Sequence, residues 1–147
     1  MKYFTFYIAT LLMLHFPGNT LAQSENLSPP DSAQAEVVMN QYFTALAGGD
    51  IATLKVLLGG KLKAKRVLLL NNPEYTNYLV TTYANASFQI LDIYSNSPNT
   101  VLIDVLISFG LEESIRKAYT LKHSTSSNTV MPYQIIGEVT AANLGSP

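Results

Sequence analysis

The stretch Met39–Leu58, MNQYFTALAGGDIATLKVLL, holds the corner on which the fold turns. Around its start, Ala35, Val38, Met39, Tyr42, Phe43 and Leu46 recur at steps of three and four, which puts them on one face of a helix. Gly48 and Gly49 stop that helix, since glycine enters backbone conformations that side chains resist. Asp50 then suits an N-cap, because its carboxylate can accept from first-turn amides that lack a partner inside the helix. Ile51, Leu54 and Leu58 continue an inward stripe, so the sequence predicts two helices joined at a Gly-Gly-Asp corner.

Downstream, Gly59-Gly60 interrupts the pattern, yet KLKAKRVLLL (61–70) is rich in helix formers. Leu62, Ala64 and Val67 to Leu70 are available for burial, which predicts a short or broken helix. Its basic run, Lys61, Lys63, Lys65 and Arg66, reads as a solvated face or as a surface for an acidic partner. Pro73 permits a fresh start, and Tyr75, Tyr78, Leu79, Thr82 and Tyr83 give a third, aromatic helix. After Asn85 the period falls to two. SFQILDIYS (87–95) sets Phe88, Ile90, Asp92 and Tyr94 against Gln89, Leu91 and Ile93. VLIDVLISFG (101–110) opposes Val101, Ile103, Val105 and Ile107 to Leu102, Asp104, Leu106 and Ser108; IRKAYTLKH (115–123) puts Ile115, Lys117, Tyr119, Leu121 and His123 on one side. TVMPYQIIGEV (129–139) is the last strand. Links this short favour antiparallel neighbours over parallel crossovers. The expected class is α+β: three N-terminal helices packed on one face of a curved antiparallel β-sheet, over 33–140.

The flanks read differently. Lys2, the apolar YFTFYIATLLMLHF (3–16) and PGNTLAQ (17–23) have the order of a signal peptide over 1–22, cleaved after Ala22. That apolar segment is shorter than the about 20 residues a membrane-spanning helix needs. A secreted or periplasmic domain is therefore expected, with a flexible arm over 23–32 and a flexible tail over 141–147; an uncleaved amino-terminal anchor is the alternative reading. The chain has no cysteine, so no disulfide braces it and stability must come from a core. A net charge of −1 in 147 residues supplies no general field for nucleic acid or an anionic membrane. With no cysteine and one histidine, His123, beyond the leader, a structural zinc site is not expected, nor is there a glycine-rich nucleotide fingerprint. No cofactor is implied.

The order of elements, together with YFTALAGGDIATLKVLL and the later YANASFQILDIYS, TVLIDVLISF and RKAYTLKH, resembles the nuclear transport factor 2-like superfamily, with its cystatin-like topology and ketosteroid isomerase-like members. The resemblance covers Ala33 to Val139. It implies a cone-like domain around a mostly apolar cavity, often a homodimer paired through the exposed sheet face, on a scaffold shared by enzymes and non-enzymes. Tyr42 resembles the isomerase tyrosine that donates to a developing oxyanion, and Asp104 the strand acid that supplies a second donor while protonated. The isomerase pattern also asks for a carboxylate base after the second helix, and 59–70 contains no acid.

Each candidate has a plainer reading. Tyr42 is either a core ring whose hydroxyl finds a partner or a pocket donor. Asp104, amid Leu, Ile and Val, is a structural anchor, a pocket polar group or an exposed edge residue, and Asp92 sits closer to a strand end. The ligand-binding set is Tyr42, Tyr83, Asp104 and Tyr119; an enzyme would use Tyr42 and Asp104 with Asp92 or His123 as the third titratable group. The favoured expectation is a non-catalytic domain that binds a small apolar ligand or a protein partner; the alternative is an isomerase or dehydratase of the ketosteroid isomerase kind.

Overall fold

At the Gly-Gly-Asp corner, Asp50 Oδ1 accepts from the Thr53 amide at 3.0 Å and Oδ2 from the Thr53 hydroxyl at 2.5 Å, so the cap forms as its chemistry demands. Gly49 has φ +64, and a β-carbon there would lie 2.9 Å from the Thr76 methyl and 3.0 Å from the Thr76 carbonyl oxygen. The corner is thus open only to glycine. The computed structural model describes residues 29–110, 113–124 and 131–140; the expected signal peptide, residues 23–28 of the arm and the tail over 141–147 lie outside the described residues.

The helices are α1 (Pro29–Gly48), α2 (Ile51–Leu57), α3 (Gly60–Leu70) and α4 (Glu74–Tyr83); the strands are β1 (Ala86–Ser97), β2 (Thr100–Phe109), β3 (Ser114–His123) and β4 (Tyr133–Thr140). The strands pair antiparallel in chain order, β1-β2-β3-β4. α1 begins at Pro29, four residues inside the expected arm, where proline's missing N–H costs nothing in a first turn. All four helices lie toward one face of the sheet. Val38, Met39, Tyr42, Leu54, Leu57 and Leu58 bury against Val101, Ile103, Val105, Ile107, Leu121 and Ile135. Among the described residues no helix is long and apolar enough to cross a membrane.

Two expectations are overturned. Among the described residues the helices number four, because Gly59 breaks 51–70 into two: its N–H donates to the Ile135 carbonyl at 2.9 Å while Leu58 makes a parallel bridge to the same residue. The chain packs closely on β4 here: a β-carbon on Gly59 would fall 2.7 Å from Gln134 Oε1 and 3.0 Å from Gln134 Cβ, so the Gln134 side chain would have to shift to admit one. The sheet, moreover, is open and not strongly curled, with β1 and β4 as its edges. Chain-order pairing of four strands gives no bond from last to first, so the sheet does not close on itself. The space a cone would enclose is filled with rings: Tyr42 meets Phe43 and Tyr119 edge-on at 5.4 and 5.7 Å, and Phe43 stacks on Phe88 at 4.2 Å. The resemblance to nuclear transport factor 2-like, cystatin-like proteins does not survive these findings.

Strict alternation also fails at three places, of which one, between Ser95 and Ser97, lies at the end of β1 and the other two change which side chains face inward. Between Ile90 and Asp92 the register shifts by one residue, so Leu91 forms a bulge and Ile93, not Asp92 or Tyr94, joins the inner face opposite Ile103. On β4 the pairing passes from Leu121↔Ile135 to Thr120↔Gly137, leaving Ile136 as an extra residue. That bulge turns Glu138 inward, opposite Tyr119.

Candidate functional site

The inward turn of Glu138 creates a dense charged cluster beneath the helices. On α3, Leu62, Arg66 and Leu70 recur every four residues and form the helix's inward stripe, so Arg66 points at the sheet while its lysine neighbours face water. Arg66 Nη1 donates to the Tyr42 hydroxyl at 3.0 Å, and its Nη2 pairs with Glu138 Oε2. The other carboxylate oxygen of Glu138 takes Lys117 Nζ, from the inner face of β3. Three elements distant in sequence thus meet through one carboxylate. The three side chains are 20% (Arg66), 18% (Lys117) and 11% (Glu138) exposed, so the network is shielded without being sealed.

Tyrosines surround it. Burial pushes the Tyr42 hydroxyl well above the ordinary tyrosine range, against a downward pull from Arg66. Burial also raises Tyr119, with Tyr42 and Glu138 adding to it, and raises Tyr75 and Tyr83 in the same direction. For Arg66, burial works downward, and the neighbouring Tyr42 and Glu138 outweigh it, so the guanidinium stays charged. Neutral phenols and two cations around one carboxylate can donate hydrogen bonds and positive charge to an incoming oxygen.

Beside the cluster lies a pocket of about 490 Å³, lined by Leu46, Leu69, Tyr75, Tyr78 and Tyr83 with Arg66 and Lys117, and bordered by Asn72 and Glu74. Its size falls within the range of small-molecule sites. Tyr75 and Tyr78 lie nearly parallel, at 11° with centroids 5.8 Å apart. A second cleft of about 440 Å³ runs past Phe43, Ala47, Tyr83, Phe88 and Ile107 and has no charged lining residue among those described. A third, of about 580 Å³, has Asp50 as its charged residue, and that carboxylate is committed to capping α2. The pocket at Arg66 and Lys117 is therefore the candidate site.

The structure brings some of the sequence-expected residues together and separates others. Tyr42 and Tyr119 are both 1% exposed and touch each other; Tyr83 lines the pocket wall. Asp104 lies on the opposite face of the sheet, between inward Ile103 and Val105, with its carboxylate accepting from Arg116 Nη2 at 2.5 Å. Tyr42 and Asp104 therefore cannot converge on one oxygen, and the donor pair implied by the isomerase resemblance is absent. Asp92 is exposed opposite Asp104, its Oδ1 accepting from the Ile93 amide at 2.9 Å. His123 ends β3 with its ring against Tyr133 at 5.3 Å, six residues and so about 20 Å from Lys117. Among the described residues no group of His, Cys, Asp and Glu could hold a metal ion.

Arg66, Lys117 and Glu138 are the residues that sequence reasoning passed over. The four-residue spacing of Leu62, Arg66 and Leu70 was the available signal for the first. Adjacent Ile135 and Ile136 followed by Gly137 signal the bulge that turns Glu138. No protein-family model matches the chain, and neither a curated protein nor a solved structure shows significant similarity to it.

Proposed function

We propose that this domain is a non-catalytic binding module that works outside the cytoplasm and holds a small, largely apolar ligand in the pocket between α1, α3, α4 and β3. The observation that carries the reading is the lining itself: leucine and tyrosine walls converge on a few fixed polar groups, the usual composition of a ligand site. The wall side chains are held by the core beneath them, as Leu46 and Tyr75 are buried. The isomerase alternative loses its main support from the separation of Tyr42 and Asp104 on opposite faces of the sheet.

Mass spectrometry of the natively purified chain tests this reading. A small molecule should accompany the protein and be lost from Leu69→Asp, which sets a charge in the apolar wall; retention in that variant at wild-type stoichiometry would refute the assigned pocket. The extracytoplasmic placement rests on the leader-like residues 1–22, and the intact mass of the exported protein should start at Gln23. Self-association or partner binding through the outer sheet face is the second reading. It is supported by half-buried Leu102 and Leu106 and by Val139, 63% exposed; sedimentation as a monomer at the highest soluble concentration would remove the homodimer.

A further inference from the structure

The charges at the base of the pocket do not balance. Arg66 and Lys117 share one carboxylate, Glu138, and the Tyr42 hydroxyl that also accepts from Arg66 is neutral. Glu74 also lines the pocket, but it is exposed, unlike the three groups of the network, and water and salt screen its charge. The shielded end of the pocket thus carries one uncompensated positive charge, and a charge removed from water without a partner is unfavourable. A guanidinium has five N–H donors and an ammonium three, more than Tyr42 and Glu138 occupy. Donors and net charge alike remain for a ligand oxygen.

From this we propose that the ligand is a planar aromatic carboxylate whose head group sits on Arg66 and Lys117 and whose ring lies against Tyr75, Tyr78 and Tyr83. The inference deepens the binding reading and rests on it. A single carboxylate matches the single excess charge. A phosphate monoester, with about −1.5 to −2 at neutral pH, would overfill it and leave part of its own charge desolvated. The ring follows from the walls: Tyr75, Tyr78 and Tyr83 all line the pocket, and tyrosine rings take another aromatic ring stacked or edge-on. Among the described lining residues the one carboxylate is the exposed, screened Glu74, against the two cations Arg66 and Lys117, so an anion is the preferred charge.

Calorimetric titration of the full chain with 2-naphthoate and with 2-naphthalenemethanol tests the inference, because the probes share a ring and differ in the head group. The acid should bind about tenfold or more tighter, the usual effect of charge-assisted hydrogen bonds. Lys117→Gln should weaken the acid at least about fivefold more than it weakens the alcohol; the two-probe comparison on the unaltered chain stands even if the variant fails to fold. Equal affinities, or tighter alcohol binding, would overturn the carboxylate inference and leave the binding reading intact. Binding of neither probe would overturn both. Displacement of 2-naphthoate by inorganic phosphate at lower concentration than by benzoate would overturn the choice of a monoanion.

Discussion

Replacing Glu138 with Gln keeps the volume of the side chain and removes the charge that joins α3, β3 and β4. Arg66 and Lys117 would then face each other with no carboxylate between them. Breaking a buried ion pair from one side costs about 3–5 kcal/mol, whereas an exposed pair contributes about 0–1 kcal/mol. With 11–20% exposure the network lies nearer the first limit, and water reaching the two cations lowers the figure. We expect a loss of about 2–4 kcal/mol, a large part of the about 5–15 kcal/mol that holds a domain folded. Urea denaturation measures it: the midpoint should fall with no change in slope, the mark of altered stability at constant exposed surface. Asp104→Asn is the internal control, because its partner Arg116 is 41% exposed on the outer face, and its loss should stay within about 1 kcal/mol. A Glu138→Gln loss below about 1 kcal/mol, or one equal to that of Asp104→Asn, would refute the reasoning.

Three further outcomes follow from individual side chains. Burial holds Tyr42 and Tyr119 above the ordinary tyrosine value near 10, so on raising the pH the unfolded chain loses its phenolic protons first; stability is intact below about pH 10 and falls above it. Tyr42→Phe should make that alkaline decline shallower in urea titrations at several pH values, and an unchanged decline would count against the burial of this hydroxyl. Gly48→Ala meets nothing within 4 Å and should stabilise by about 0.5–1 kcal/mol, whereas Gly49→Ala, at φ +64 and against Thr76, should destabilise by about 2 kcal/mol; thermal melts showing the same sign for both would contradict the corner geometry. Gln41 Oε1 is buried with no hydrogen-bond partner among the described residues, so Gln41→Leu should raise stability by about 1 kcal/mol in the same assay.

Local chemistry in the sequence located the elements well. The Asp50 cap, the glycine corner and the switch from period 3.6 to period 2 after Asn85 each depend on near neighbours, and each appears in the structure. The split of 51–70 into α2 and α3 was visible as Gly59-Gly60, but its cause, contact with the Ile135 backbone, is a tertiary fact. The curvature of the sheet was beyond reach for the same reason: strand patterns say which residues face inward and do not say whether the first strand meets the last. The bulges at Leu91 and Ile136 then decided the site. One extra residue moved Asp92 and Tyr94 outward to the side of Asp104, and another moved Glu138 inward to Arg66 and Lys117. The polar groups that had drawn attention went to the wrong face, and an unremarked glutamate became the centre. Arg66 was hidden by company, since one inward cation in a lysine-rich run looks like part of a solvated surface until its place between Leu62 and Leu70 is considered.

The central functional claim is that the ligand site lies at the helix-covered face, between the Arg66–Glu138–Lys117 network and the tyrosines of α4. Heteronuclear NMR of the labelled chain during titration with 2-naphthoate tests it most directly. Saturable amide shift changes should cluster at Leu46, Arg66, Tyr75, Tyr83 and Lys117. Changes centred on Asp92, Asp104 and Arg116, on the outer face of the sheet, would contradict the account.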